Sequence, residues 1–232
     1  MQAKYIQIKN AITGHIEDGS WLPTEKIPSE NELAEQFGVS RMTARRALDE
    51  LCAAGFLVRS QGLGTFVADR RPMSSMLEIH NIAEEIADRG HAYSCRVAKL
   101  NRVSSDKRKA ILLSVQEGQE IFHSTLVHFE SGIPVQYEDR YVNPVFAPDY
   151  GLQDFNVQTP NVYLSSVAPL TEADHIVEAV LPSKAIAKSL KMDHSDPCLK
   201  ITRRTWSKKG VVSFAYLYHP GDRYRLGSHL NF

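Results

Sequence analysis

The chain has 232 residues, of which 43% are apolar and 23% charged, and its formal net charge is zero. This composition is typical of a globular protein with enough residues for two domains. A neutral chain is a poor candidate for indiscriminate nucleic-acid binding, and no stretch approaches the roughly 20 apolar residues of a membrane span. The N-terminus MQAKYIQIKN has no signal-peptide core, so we expect a cytoplasmic protein without a membrane partner.

The segment from residue 5 to residue 16 places apolar side chains three and four positions apart. Tyr5, Ile8, Ile12 and Ile16 therefore share one face of a helix, and Gly19 ends the pattern. We expect this helix to pack against the two helices that follow it.

Two helix starts follow at a short distance. Ser29 and Glu32 have the spacing of a capping box, and Gly38 stands where a helix end favours a left-handed residue. Ser40 is the predicted N-cap of the next helix, so only a tight turn separates the two. This order of parts predicts a helix-turn-helix, a motif that reads double-stranded DNA through its second helix.

The second helix has an apolar face and a basic face. Its predicted core face consists of Ala44, Ala47, Leu48 and Leu51. At about 100° per residue, Arg45 and Arg46 are carried to the opposite face, while Arg41 and Thr43 lie at the N-terminal end. Arginine can hold a phosphate or donate two hydrogen bonds to guanine, and the sequence does not say which arginine does which.

Two short alternating segments follow at 56–59 and 65–68, and a stretch that contains Gly62 and Gly64 connects them. They predict a two-stranded wing whose tip can approach the sugar-phosphate backbone, because glycine has no side chain to hold the backbone away. From residue 40 to residue 71 there are six arginines and three acidic residues, so positive charge is local to this region.

The run from residue 27 to residue 67, IPSENELAEQFGVSRMTARRALDELCAAGFLVRSQGLGTFV, resembles the winged helix-turn-helix of the GntR family of bacterial transcription regulators. The resemblance implies a DNA-binding domain over residues 1–68. The positions that face operator DNA in that family match Ser40, Arg41, Thr43, Arg45, Arg46, Gly62 and Gly64. We add Ser29 and Thr65 to the predicted contacts.

Residues 69–76, DRRPMSSM, have no periodicity and contain a proline and two serines, which predicts a linker before a second domain over 77–232. That domain should begin with a helix over 79–89 that Asn81 caps. The predicted strands are 93–102, 119–129, 134–142, 171–181, 198–207 and 211–219. Further helices are predicted at 106–115, 161–166 and 183–190. Short turns join neighbouring segments, so the expected fold is α+β, with one antiparallel sheet and helices to a side.

Two helix starts in the second domain suggest a small anionic ligand. Asn81 opens one short helix and Thr159 with Pro160 opens another, and helix N-termini can hold carboxylates and phosphates. Most helix N-termini bind nothing, so this pattern alone leaves the question open.

Three runs, TPNVYLSSVAPLTEADHIVEAVLPS, PCLKITRRTWS and AYLYHPGDRYRL, resemble the effector domain of the HutC branch of the GntR family, which is of the UTRA type with a chorismate-lyase-like fold. Ligand contacts of sugar-phosphate-sensing relatives match His80, Asn81, Ile82, Glu138, Asn161 and Tyr163, and the resemblance implies contacts at these positions. Further candidates are His128, Tyr137, Arg140, Arg203 and Tyr224. His128 can equally be a hydrogen-bonded strand histidine, and Glu138 with Arg140 a structural ion pair.

Two arginine positions of sugar-phosphate-sensing relatives fall at Leu126 and His128, which argues against a phosphorylated ligand for lack of countercharge. The resemblance implies instead a regulator of histidine-utilisation genes, expected to be a repressor that urocanate releases. It would act without a cofactor, as a homodimer on a pseudopalindromic operator. The alternatives are a regulator that responds to another small carboxylate or a sugar-derived metabolite, a lyase-like enzyme, and a zinc sensor.

No nucleophile motif or phosphate loop occurs in the sequence, so we do not expect an enzyme. Cys52, Cys95 and Cys198 are far apart and in no metal-ligand spacing, so we expect free thiols and no metal.

Overall fold

A computed structural model describes residues 3–69, 73–74 and 79–227, with the backbone alone at 73 and 74. The chain divides into two compact units, Met1–Arg71 and Pro72–Phe232. The division falls within the predicted linker, of which residues 70–72 and 75–76 lie outside the described residues. Each unit has its own buried apolar core.

The first unit consists of three helices and an antiparallel two-stranded wing. Its elements are α1 (Lys4–Glu17), α2 (Glu30–Phe37), α3 (Arg41–Ala53), β1 (Leu57–Ser60) and β2 (Gly64–Val67). The predicted capping box is present, since the Ser29 hydroxyl accepts from the Glu32 amide and the Glu32 carboxylate accepts from the Ser29 amide. Gly38 has the left-handed φ of 58° that ends α2, and the Ser40 hydroxyl caps α3.

One apolar core holds the three helices and the wing together. Its buried side chains include Ile8, Ile12, Leu33, Ala44, Ala47, Leu48 and Leu51. The predicted core faces of α1 and α3 are therefore confirmed, and burial of these faces leaves the arginines of α3 at the surface.

The second unit is built on a six-stranded antiparallel sheet in the order β4-β5-β6-β9-β8-β7. Its strands are β3 (Met73–Ser74), β4 (Tyr93–Ser104), β5 (Glu120–Glu130), β6 (Ile133–Val142), β7 (Glu172–Val180), β8 (Cys198–Ser207), β9 (Gly210–Pro220) and β10 (Arg225–Leu226). Its helices are α4 (Ile82–Asp88), α5 (Lys107–Leu113), α6 (Pro160–Val167) and α7 (Lys184–Leu190). This is the predicted α+β fold.

Most predicted elements are present with bounds shifted by one or two residues. Three differences have a structural explanation or were not predicted at all. The helix predicted over 79–89 begins at Ile82, because the Asn81 side chain accepts from the Ala83 amide and so marks the start. The helix predicted from residue 161 begins at Pro160, with Thr159 as its cap. The short strand β3, at residues 73–74 of the predicted linker, pairs in parallel with β10, a pairing that the sequence did not predict.

Cys52, Cys95 and Cys198 are free cysteines. In the part of the chain that the structure describes, no helix combines the length and the apolar character needed to cross a membrane.

Candidate DNA-binding surface and effector cavity

The outer face of α3 is exposed along its length. Arg41, Met42, Arg45 and Arg46 are all exposed, and Met42 retains 69% of its accessible surface. At the helix start the hydroxyls of Ser40 and Thr43 lie 2.9 Å apart and bond to each other. The structure therefore brings the predicted contacts of α3 onto one solvent-facing surface.

Each arginine of this surface lies against a carboxylate. Arg41 Nε donates to Glu30 at 2.9 Å, and Arg59 of the wing reaches Glu30 at 3.3 Å. Arg59 also lies 2.6 Å from a carboxylate oxygen of Asp49. Asp49 also lies 3.8 Å from Arg45. The arginines of this surface are therefore interspersed with acidic side chains.

Arg46 is held differently from Arg45. Its guanidinium lies 3.1 Å from Glu50 and 4.1 Å from the centre of the Tyr5 ring, so it rests on α1. Glu50 also receives Lys9 at 2.7 Å.

A groove lies between the start of α2, the start of α3 and the wing. The predicted residues that line it are Ser29, Arg41, Gly62, Gly64 and Thr65. Lys26 and Arg59 line the same groove and were not among the predicted DNA contacts. Lys26 arrives there because it forms an isolated bridge with Phe66, and a pairing across 40 residues has no local signal.

Gly64 is required by this arrangement. Its φ is 124°, and a Cβ at this position would lie 2.8 Å from Lys26 Cε. Two arginines counted in the local charge, Arg70 and Arg71, lie outside the described residues.

The second unit contains a small polar cavity of about 30 Å³. Nine of the predicted ligand residues line it: His80, Asn81, Ile82, His128, Glu138, Arg140, Asn161, Arg203 and Tyr224. Strand register explains the convergence, because Glu138 pairs with Leu217 and Arg140 with Ala215, which in turn pairs with Arg203. These side chains consequently point to the same face of the sheet.

Two predicted ligand residues do not line the cavity. Tyr137 precedes Glu138 on β6, and since side chains alternate along a strand it faces the other side, where its ring lies 6.2 Å from that of Tyr218. Tyr163 is 7% exposed and packs in the core, with its ring 6.0 Å from that of Tyr150. The structure therefore does not bring these two residues together with the other nine.

Thr159, which the sequence identified as a helix start, also lines the cavity, and four further lining residues were not predicted: Glu85, Gln136, Leu217 and His219. Gln136 had a usable signal, because it lies two residues before Glu138 and so shares its face. His219 had none, since β9 reaches this face only through the non-local register of the sheet.

A buried ion pair forms one wall of the cavity. Arg140 Nε donates to Glu138 at 2.6 Å, and Arg140 also donates to the Ser213 hydroxyl at 3.0 Å. Burial alone would raise the pKa of Glu138, but Arg140 and His128 hold that pKa well below its usual range. Glu138 and Arg140 are therefore both a structural pair and part of the cavity.

His128 is fully buried beside this pair. Its Nε2 lies 3.5 Å from Glu138, and its Nδ1 bonds the Tyr93 hydroxyl at 2.9 Å. Burial by itself lowers the pKa of His128, but Cys95 and Glu138 outweigh it and raise this pKa to about 9. Glu138 therefore favours the protonated form of His128.

Arg203 has no hydrogen-bond partner for its Nε within the described chain. Burial, with repulsion from Arg140, lowers the pKa of Arg203 to about 10. An anionic partner would stabilise the charged form of Arg203.

His219 contributes a neutral side chain to the cavity wall, in contrast to the charged residues above. Its Nδ1 donates to the Val135 carbonyl at 3.1 Å, and its ring stacks on Tyr224 at 3.8 Å. Burial, with nearby Arg203, lowers the pKa of His219 to about 3, so the ring is neutral and its Nε2 can accept a hydrogen bond.

The cavity has countercharge for a phosphorylated ligand, contrary to the expectation from the sequence. That expectation came from Leu126 and His128 at two arginine positions of the relatives, and Leu126 is fully buried in the apolar core. Arg140 and Arg203, however, bring two guanidinium groups to the cavity from β6 and β8. Countercharge is therefore present. Among the described residues no group of three histidine, cysteine or acidic side chains is placed to hold a metal ion.

Two family models match the chain. The model for bacterial regulatory proteins of the gntR family matches residues 4–67, and the UTRA domain model matches residues 88–225. The histidine utilization repressor of Pseudomonas putida is 52% identical over 222 residues, which cover 96% of this chain and 90% of that protein. The histidine utilization repressor of Klebsiella aerogenes is 50% identical, with coverage of 96% and 92%.

Solved structures agree. The C-terminal domain of the histidine utilization repressor from Pseudomonas syringae pv. tomato str. DC3000 is 49% identical, with a TM-score of 0.59 over 61% of this chain and 100% of that one. PhnF from Mycobacterium smegmatis shares the fold at a TM-score of 0.69, with 20% identity and 99% of each chain covered. The curated relatives are named as repressors and not as enzymes. The chain thus belongs to the gntR family of bacterial regulatory proteins, as a DNA-binding transcription regulator whose C-terminal unit is a UTRA domain.

Proposed function

We propose that this regulator represses histidine-utilisation genes and that urocanate, a planar carboxylate with an imidazole ring, releases it from its operator. The two curated relatives above carry the name histidine utilization repressor and match nearly the whole chain. The observation that carries the ligand class is Arg203, a cation of depressed pKa whose Nε lacks a partner within the described residues of the cavity. A carboxylate supplies the missing countercharge.

The remaining walls suit the imidazole ring. Tyr224 and His219 present a stacked aromatic pair, and the His219 Nε2 can accept a ring N–H. Asn161 and Gln136 add amide groups that donate and accept. Arg140 is already paired with Glu138, which leaves Arg203 as the guanidinium with an unpartnered Nε, and this arrangement favours a ligand with a single negative charge.

Cavity size supports a coupling between ligand and structure. About 30 Å³ holds roughly two water molecules, whereas pockets for small ligands measure some 300 Å³ or more. Entry of the ligand must therefore separate the walls. The wall formed by His80, Asn81 and Ile82 leads into α4, the first helix after the boundary between the two units.

We infer that the ligand displaces α4 and that this displacement changes the DNA affinity of the first unit. Ligand can act in this way only if it binds the two states with unequal affinity, and a difference of about 1–3 kcal/mol is typical. The operator should be a pseudopalindrome bound by a homodimer, since a symmetric assembly reads symmetric DNA.

The test is a competition on DNA. A duplex is first selected from a random library by the chain itself, and its affinity is then measured by fluorescence anisotropy with and without urocanate. Urocanate should weaken binding about 5- to 150-fold, while histidine, which carries an added ammonium group, should do so far less. Release by histidine or by neither compound contradicts the proposed effector.

The second candidate is a regulator of the same kind that senses a sugar phosphate or another small carboxylate. The pair Arg140 and Arg203 favours it, because two guanidinium groups can match a doubly charged phosphate. Glucosamine 6-phosphate and acetate in the same assay separate these possibilities. Release by the sugar phosphate alone would replace urocanate with this candidate.

A further inference from the structure

A carboxylate bridges two arginines at the point where the helix-turn-helix meets the wing. Glu30, the first residue of α2, lies 2.9 Å from Arg41 of α3 and 3.3 Å from Arg59 of β1. Its side chain is one-fifth exposed, whereas that of Arg41 is two-thirds exposed. One anion thus occupies two of the cations that line the groove.

This arrangement places a cost on every phosphate contact that these arginines make. Binding without sequence preference comes from phosphate neutralisation and counterion release, and an arginine already paired with a carboxylate contributes less of both. The carboxylate also repels the incoming phosphate. A duplex without the operator sequence forms no base-specific hydrogen bonds that would offset this cost.

Operator DNA also forms hydrogen bonds at base edges, which fix the position of α3 in the groove. Arg41 and Arg59 can then remain paired with Glu30, whereas on a random sequence they must leave Glu30 to neutralise phosphates, so the cost falls on non-operator DNA. Specificity is a difference of affinities and can be gained by a penalty on the wrong partner. The formal net charge of zero is consistent with a chain that limits indiscriminate DNA binding.

We propose that Glu30 is a specificity-determining residue, which holds Arg41 and Arg59 and thereby suppresses binding to non-operator DNA. Asp49 does the same for Arg59, at 2.6 Å, from the other side. The inference rests on DNA binding alone and is independent of the effector proposed above.

The test compares Glu30→Gln with Glu35→Gln in the full chain. Glu35 lies on the same helix and is exposed, and its replacement by Gln changes the net charge by the same amount as Glu30→Gln. Affinities are measured for the duplex selected by the wild-type chain and for a shuffled duplex of the same composition, across a range of salt concentrations.

Glu30→Gln should tighten binding to the shuffled duplex about three- to tenfold and steepen its salt dependence by about one unit of slope. The selected duplex should change less than about twofold, and Glu35→Gln should change neither by more than that. The ratio of the two affinities therefore falls in Glu30→Gln alone.

Equal tightening on both duplexes overturns the inference, because Glu30 would then be only a surface charge. Weaker binding to the selected duplex also overturns it, since Glu30 would then position Arg41 for base contact. If Glu30→Gln lowers the melting temperature of the chain, Asp49→Asn takes its place, with the same expected fall in the ratio. A wild-type chain that shows no preference between the duplexes would contradict operator recognition itself.

Discussion

The Thr159 hydroxyl donates to the Asn81 side-chain carbonyl at 2.9 Å, and this bond joins the N-caps of two helices. Asn81 caps α4 by accepting from Ala83, and Thr159 caps α6 by accepting from Val162. Both side chains are buried, with 8% and 3% exposure. The two helix starts that wall the cavity therefore behave as one unit, and a ligand that moves one must strain the other.

Thr159→Val should lower the free energy of unfolding of the C-terminal unit by about 1–3 kcal/mol, because it removes a helix cap and a buried hydrogen bond while keeping the side-chain shape. Urea denaturation followed by Trp206 fluorescence, in a Trp21→Phe background, measures this loss. Ser183→Ala, which removes only the cap of α7, is the control. Equal losses in the two variants would show that the bond to Asn81 contributes nothing.

The helix starts could be predicted because a cap is a local device. Ser29, Ser40 and Asn81 each bond a backbone amide within three residues, so the sequence contains both partners. The apolar faces of α1 and α3 could be predicted for the same reason, since a helical period fixes which side chains share a side.

The composition of the cavity depends on long-range pairing and was predicted only in part. Resemblance supplied Glu138 and Asn161, but His219 joins them through the register of β6 with β9, which no local pattern contains. Tyr137 does not join this group, because the alternation of strand side chains places it on the opposite face from Glu138. The sequence contains the carboxylates that pair with the arginines of α3, but it does not show which arginine each one contacts.

The charge of His128 should make the stability of the C-terminal unit dependent on pH. Its pKa in the folded chain, about 9, lies above the ordinary histidine pKa of about 6.5, so the folded state binds the proton more tightly. The stabilisation is complete below about pH 6.5 and is lost as the pH rises through 9. Urea denaturation of the wild-type chain between pH 6.5 and 9.5 should show this decline.

His128→Gln removes the titrating group, so its unfolding free energy should be flatter over the same interval. His194→Gln, which replaces an exposed histidine, should keep the decline of the wild-type chain. A decline that persists unchanged in His128→Gln would assign it to other groups.

Arg203→Gln should weaken urocanate binding about 10- to 100-fold, the value of a lost hydrogen bond between charged groups. Isothermal titration calorimetry on the full chain measures the change. The matched control is Arg204→Gln, because Arg204 follows on the same strand, faces the other side of the sheet and donates to Ser114 at 3.0 Å. Similar affinities in the two variants would show that Arg203 does not hold the carboxylate.

Arg45 and Arg46 should have different roles on DNA, although the sequence presents them as equals. Arg46 rests between Tyr5 and Glu50, which keeps it beside α1, while the nearest carboxylate to Arg45 is Asp49 at 3.8 Å. Arg45 is therefore the freer of the two to enter the groove and read a base. Arg45→Ala should cost about 1–3 kcal/mol on the selected duplex and relax the preference at one base pair.

Arg46→Ala should instead weaken binding to all duplexes alike and reduce the salt slope by about one, as expected for a phosphate contact. Anisotropy titrations against a panel of duplexes, each with one base pair of the selected sequence changed, distinguish the two patterns. The opposite assignment, with base preference lost in Arg46→Ala, would mean that Arg46 leaves Tyr5 and Glu50 when DNA binds. In that event the ion pairs of the unbound surface would not predict the contacts of the bound one, and the role given to Arg45 would pass to Arg46.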